Sequence, residues 1–313
     1  MPSRNNTPAT LAAIGAAALT LLLQGCFTGV EGTGKINLSK KDMVATAPTA
    51  EDLLLSDVPS PPLRDWGEGK RFVVADEKFR LVAEVSGDYI VNAGDTIIFS
   101  GMEASAGPGG GGRTVLSFTR PGARLQYAVD KPLDEASASY TTSELPMLID
   151  LDAVEAVREK LKGRKVWTRT ALWYGDSLQH LKGRKFVGVT ISDVVPGNAF
   201  FPLLVSFADD AGNTGRLLMN TGNTGNESRN FGKLFSLSDP KNSHRQISAE
   251  NWAAIQNEEV RAGMTKEEAK LARGNPSDID TGHNYSNAME IWYYPDGTFL
   301  RFVDGLLVGG QGL

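Results

Sequence analysis

The sequence predicts a mostly β protein, built of small β modules and ending in an α+β module. Three observations lead there. Residues 69–130 and 162–240 carry short runs of alternating apolar and polar side chains divided by glycine turns, the pattern of half-buried strands. Residues 248–276 change to helix signals with caps at both ends. Residues 289–308 alternate again around two turns, so two helices lead into a three-stranded meander.

Taken in order, the chain starts with Arg4 and an apolar run over 11–23, too short to cross a bilayer and suited to the hydrophobic core of a secretory leader. The run closes on Leu23-Gln24-Gly25-Cys26, which resembles the lipobox of bacterial lipoproteins. That resemblance implies removal of 1–25 and acylation of the Cys26 thiol. With Phe27 rather than aspartate next, it also implies export to the outer membrane. Cys26 is the single cysteine, so no disulfide competes for it.

Hydrophobic content of 41% and charged content of 22% suit a globular body. Loss of Arg4 with the leader takes the formal charge from −5 to −6. An acidic body argues against nucleic acid as a partner and against adsorption on anionic lipid. The expected partners are therefore outer-membrane lipid, through acylated Cys26, and another envelope protein.

Residues 26–68 read as a flexible tether, rich in Gly, Thr, Ala and Pro, with one helical turn possible around Glu51 to Leu55. About 40 flexible residues span on the order of 35 Å. Residues 69–130 then form a small β domain. Phe79, Leu81, Ala83 and Val85 alternate with Lys78, Arg80 and Glu84 as one strand, and 95–102, 114–119 and 125–129 are others. The glycine run 107–112 leads through Arg113 into a strand, without the Lys-Ser/Thr ending or following helix of a phosphate loop, and reads as a hairpin loop.

Residues 131–161 are a linker and a helix, the latter starting at Asp150, with Leu151, Val154 and Leu161 on one face. The second β module, 162–240, holds two near copies, Lys162-Gly163-Arg164-Lys165 and Lys182-Gly183-Arg184-Lys185, each a basic turn opening a strand. Trp167, Trp173 and Tyr174 on one arm and 186–191 on the other read as a hairpin. Short strands at this spacing suggest an SH3-like small barrel. The Asn/Gly segment 220–229 is either a ligand loop, with Asn223, Asn226 and Arg229 as contacts, or a long turn held by its own asparagines.

The C-terminal residues 248–308 are the most legible. Ser248 caps a helix bearing Trp252 and Ile255. Thr265 and Glu268 form a capping box, Gly274 ends the second helix, and Pro276 forbids its continuation. Gly263-Met264-Thr265-Lys266-Glu267-Glu268, Gly274-Asn275-Pro276, Ile291-Trp292-Tyr293-Tyr294 and Leu300-x-Phe302-x-Asp304-Gly305-x-Leu307 together resemble the SmpA/OmlA family of outer-membrane lipoproteins. The resemblance implies an α+β module and a cell-envelope compartment, and no reaction.

In the meander, Trp292, Tyr294, Leu300 and Phe302 share a face that should pack under the helices. The other face carries Met289, Ile291, Tyr293, Phe299, Arg301 and Val303 and is not polar. A sheet covered on one side shows polar residues on the other, so this face is covered by the preceding β module or by a partner protein. Ile291, Tyr293, Phe299 and Arg301 are the candidate interaction residues.

Catalysis has little support. His180, His244 and His283 lack paired metal-site spacing, no Gly-x-Ser-x-Gly elbow is present, and no carboxylate pair stands in an apolar setting. No catalytic residue, metal or cofactor is assigned. The expected function is that of a lipid-anchored, non-enzymatic interaction or assembly module, with a surface lipoprotein binding a small ligand or glycan as the alternative.

Overall fold

The computed structural model describes residues 48–107, 111–222, 229–284 and 287–311, and over them the protein is mostly β, in curled antiparallel sheets. Helix α1 (Ala50–Leu53) opens this region, capped by Thr49, whose hydroxyl accepts from the Asp52 N–H while the Asp52 carboxylate answers the Thr49 N–H at 2.9 Å. The first sheet has the order β2 (Ala83–Ser86), β5 (Ala123–Val129), β4 (Gly112–Arg120), β3 (Thr96–Ala106), β1 (Arg71–Val74), β6 (Leu148–Asp150). Its inner face is aromatic: Phe72 lies 5.4 Å from Trp66 and 5.7 Å from Phe118, ring centre to ring centre.

Three sequence readings are corrected here. The strand expected over 79–85 is cut in half: a 3-10 turn, Glu77–Leu81, takes its first part and β2 begins only at Ala83. The Asp76 carboxylate caps it through the Lys78 N–H at 2.9 Å, and Leu81 stands 75% exposed; local capping overrides the alternation. The tether ends earlier than 68. Leu55 and Val58 are buried in the core under the second sheet, and Leu63 and Trp66 in the core of the first, so 48–68 is a strap across both. Its turns are polar, and only the spacing of a few apolar residues distinguishes it from a linker. Finally, 131–147 is not a linker: helix α2 (Leu133–Ser139) buries Ala136, and Tyr140 and Leu145 follow it into the core.

Helix α3 (Leu151–Leu161) starts where β6 ends, with Asp150 as N-cap accepting from the Asp152 N–H at 3.0 Å. It lays Val154, Val157 and Leu161 on the second sheet, packing with Val166, Val189 and Val205. That sheet runs β13 (Phe235–Ser236), β7 (Lys165–Thr168), β10 (Gly188–Pro196), β11 (Leu203–Asp209), β12 (Thr214–Met219), β8 (Leu172–Tyr174), β9 (His180–Lys182). The expected hairpin is thus split. Trp167 faces Gly188 across β7 and β10, whereas Tyr174 crosses the sheet to pair with Arg216. The crossing fits because Trp173 lies flat against two glycines: a Cβ on Gly183 would come within 2.3 Å of its ring, and one on Gly215 within 2.8 Å.

Short helix α4 (Phe231–Leu234) leads back into the second sheet at β13, and α5 (Ala249–Gln256) and α6 (Lys266–Arg273) cover a third one. The meander has four strands rather than three: β14 (Asp278–Asn284), β15 (Asn287–Tyr293), β16 (Phe299–Val303), β17 (Leu306–Gln311). The first carries no strand signal in the sequence, because Asp278, Asp280 and Gly282 give it a turn-like composition. As an edge strand those charges suit it, since they discourage pairing with other chains. Trp292, Leu300, Phe302 and Leu307 are buried under Ile255, Met264 and Ala269, with the rings of Trp292 and Phe302 4.5 Å apart.

The capping box of α6 is complete. Burial pushes the Glu268 carboxyl up, but the Thr265 N–H at 2.7 Å, the Asn251 amide at 2.7 Å and the Thr265 hydroxyl at 2.9 Å outweigh it and hold the group below its ordinary value. A lowered folded-state pKa gives stability that is present above the unfolded value, about 4.3, and lost as pH falls through the folded one. The melting temperature should therefore be flat from pH 7 to about 5 and decline below about 4, and Glu268→Gln should flatten that decline in melting curves taken across the range.

Candidate functional site

The outer face of the third sheet follows from its register. Tyr293 pairs with Phe299, Ile291 with Arg301 and Met289 with Val303, so the four candidate residues form two adjacent cross-strand pairs. β17 adds Leu306 beside Val303, and β14 adds Asp278 beside Tyr293 and Asp280 beside Ile291. The inner neighbours Trp292, Leu300 and Phe302 are buried, whereas Tyr293 is 40% exposed and Leu306 48%. The preceding β module does not cover this face, which corrects the first of the two expectations.

That module meets the other side of the C-terminal unit instead. The Phe186 ring lies 5.9 Å from Trp252, and the Gln256 amide donates to the Phe186 carbonyl at 3.2 Å. The Lys185 ammonium donates to the Ala272 carbonyl at 2.8 Å and pairs with Glu258 at 3.1 Å. The second basic repeat is therefore a joint, with Phe186 in the left-handed region at φ 53°, a conformation that tight surroundings must hold.

Arg301 sits at the middle of the apolar face and has no side-chain hydrogen bond or ion pair among the described residues. Its guanidinium lies over Gly309, whose absent side chain leaves it room; a Cβ there would stand 3.7 Å from Nη2. The face thus offers aliphatic and aromatic surface around one unpaired cation.

The other sequence candidates are scattered. Cys26, Asn223 and Asn226 lie outside the described residues. Arg229 lies at the base of the Asn/Gly loop, where the Asn220 N–H donates to its carbonyl at 2.9 Å. Its Nε donates to the Leu218 carbonyl at 2.7 Å, and its guanidinium lies over the Phe201 ring at 5.4 Å. Its contacts are those of a strut. His180 stacks near Tyr174 at 5.0 Å, and His244 pairs with Glu267 at 2.9 Å, far from any shared centre. Among the described residues no group of three His, Cys, Asp or Glu is placed to hold a metal ion.

The Asp209 carboxylate is bound within its own hairpin. Hydrogen bonds from the Asn213 amide at 2.8 Å and from the Asn213 and Ala211 N–H groups hold it below its ordinary value, with Arg184 adding to the effect. The Asp209 carboxylate thus ties its own hairpin turn together.

One feature had no sequence signal. Where the strap, the 142–150 region and the 198–203 hairpin meet, a cleft of about 250 Å³ opens, lined by Val58, Leu145, Leu148, Asp150 and Phe200 among others. Beside it, Lys70 pairs with Asp150 at 2.8 Å and Asp152 at 2.6 Å, and the side chains of Lys70 and Asp150 are 8% and 5% exposed. Partners this distant in sequence leave no local pattern. Compared with known proteins, the chain matches no family model, no curated protein and no solved structure.

Proposed function

We propose that the protein is an outer-membrane lipoprotein, anchored by acylated Cys26, whose body is a non-enzymatic module that binds another envelope protein through the open face of its C-terminal sheet. The observation that carries this reading is the face itself. Around Arg301, Tyr293 and Leu306 stand exposed and Ile291, Phe299 and Val303 half-buried, and apolar surface of that kind usually marks a contact site. The partner's chemistry follows from the face: an apolar strand or helix surface with one carboxylate to meet the guanidinium.

The curled sheets of short strands support small SH3-like modules, and the capped helix pair leading into a meander supports an SmpA/OmlA-like unit. Among the described residues no helix is long and apolar enough to cross a membrane, and the acyl chain on Cys26 is the proposed attachment.

The anchor has its own test. Cells expressing the Cys26→Ser protein and labelled with radioactive palmitate should show no label in it, and the protein should leave the membrane fraction. Equal labelling of both proteins would sink the anchor assignment.

A further inference from the structure

We infer that the cleft beside Asp150 is a binding site for a small amphipathic cation, a primary amine on a compact apolar body. An apolar lining that includes Val58, Leu145, Leu148 and Leu203 sets this space of about 250 Å³ apart from the larger, more polar clefts near Glu51 and Trp173. It is just below the roughly 300 Å³ lower end of small-molecule sites, which limits the ligand to less than drug size.

The polar end of the ligand is set by Asp150. Its Oδ1 already accepts from the Asp152 N–H at 3.0 Å and forms an ion pair with the Lys70 ammonium at 2.8 Å. Its Oδ2 is buried and has no hydrogen-bond partner among the described residues. A buried carboxylate oxygen without a donor is unfavourable, and a donor brought by a ligand relieves that.

Charge selects the kind of donor. Asp150 lines the cleft, and beside it two carboxylates, Asp150 and the half-exposed Asp152, stand against the one ammonium of Lys70, leaving one negative charge in this cluster. An ammonium is therefore favoured over a hydroxyl, and a carboxylate is opposed. The apolar end is received on the other side by the 198–203 hairpin. The Asn198 carboxamide accepts from the N–H groups of Phe200 and Phe201, both at 2.9 Å, fixing the tip on which Phe200 stands 79% exposed at the cleft. A solvent-facing phenylalanine on a fixed turn suits an aromatic contact with a ligand.

The test uses 2-phenylethylamine, with 2-phenylethanol and phenylacetate as neutral and anionic counterparts, titrated into the whole protein by isothermal calorimetry and ligand-observed NMR. The amine should bind saturably and at least tenfold more tightly than phenylacetate, with the alcohol between them. Asp150→Asn should remove the preference for the amine. Because Asp150 also caps α3, Ser143→Trp serves as a second variant: it crowds the mouth from an exposed turn, and should abolish binding with the melting temperature unchanged. Saturable binding by none of the three compounds, equal binding of phenylacetate, or amine binding that survives in both variants would overturn the inference.

Discussion

Trp292→Ala is expected to unfold the C-terminal unit at temperatures where the intact protein is stable, with a loss of about 3–5 kcal/mol. Trp292 is 1% exposed and contacts elements from both layers of that unit. Its ring packs 4.5 Å from Phe302, the Lys270 ammonium lies 5.3 Å above it, and its Nε1 donates to the Glu290 carboxylate at 2.9 Å. Truncation leaves a cavity that the helices cannot close, because Ala269 and Ala272 of α6 already approach as small side chains. It also leaves Glu290, which the Lys266 ammonium reaches from the other side, short of one donor. Chemical denaturation should show an early transition confined to tryptophan and tyrosine signals of the C-terminal unit. A loss under about 1 kcal/mol would mean that the helices do not pack on this face.

The double substitution Tyr293→Ser with Phe299→Ser should behave in the opposite way. These residues are neighbours across β15 and β16, one residue along from the buried row, yet they face away from the helices. Stability should change by no more than about 1 kcal/mol, since partly exposed side chains lose little burial on truncation. Binding of the envelope partner should fall at least tenfold, as is expected when aromatic anchors at an interface centre are removed. The contrast between Trp292 and Tyr293, adjacent in the chain, separates a residue that holds the fold from one that is available to a partner.

The same pair shows what the sequence made readable. Period-two alternation over 289–303 set which side chains share a face, and the Thr265–Glu268 box, Gly274 and Pro276 set the helix ends, because these signals are local. Whether the second face was covered depended on where the preceding module docks, and that is decided by Phe186 at α5 and Lys185 at α6, contacts that no local pattern encodes. The strap failed for a related reason. Leu55, Val58, Leu63 and Trp66 are widely spaced among prolines and polar residues, so neither helical nor strand periodicity appears, and the first two are buried in a different core from the last two. The cleft at Asp150 was illegible on the same grounds: Lys70 and Asp150 are brought together by the pairing of β1 with β6.

Site-specific photocrosslinking from position 293 in intact cells asks whether the open sheet face binds an envelope protein. With a benzophenone side chain in place of Tyr293, irradiation should give one discrete adduct with a different membrane protein. That adduct should vanish when Arg301→Glu is added and be absent when the benzophenone stands at the exposed position 81 on the first module. No adduct from position 293, an adduct whose mass is twice that of the chain, or one indifferent to Arg301→Glu would contradict the claim.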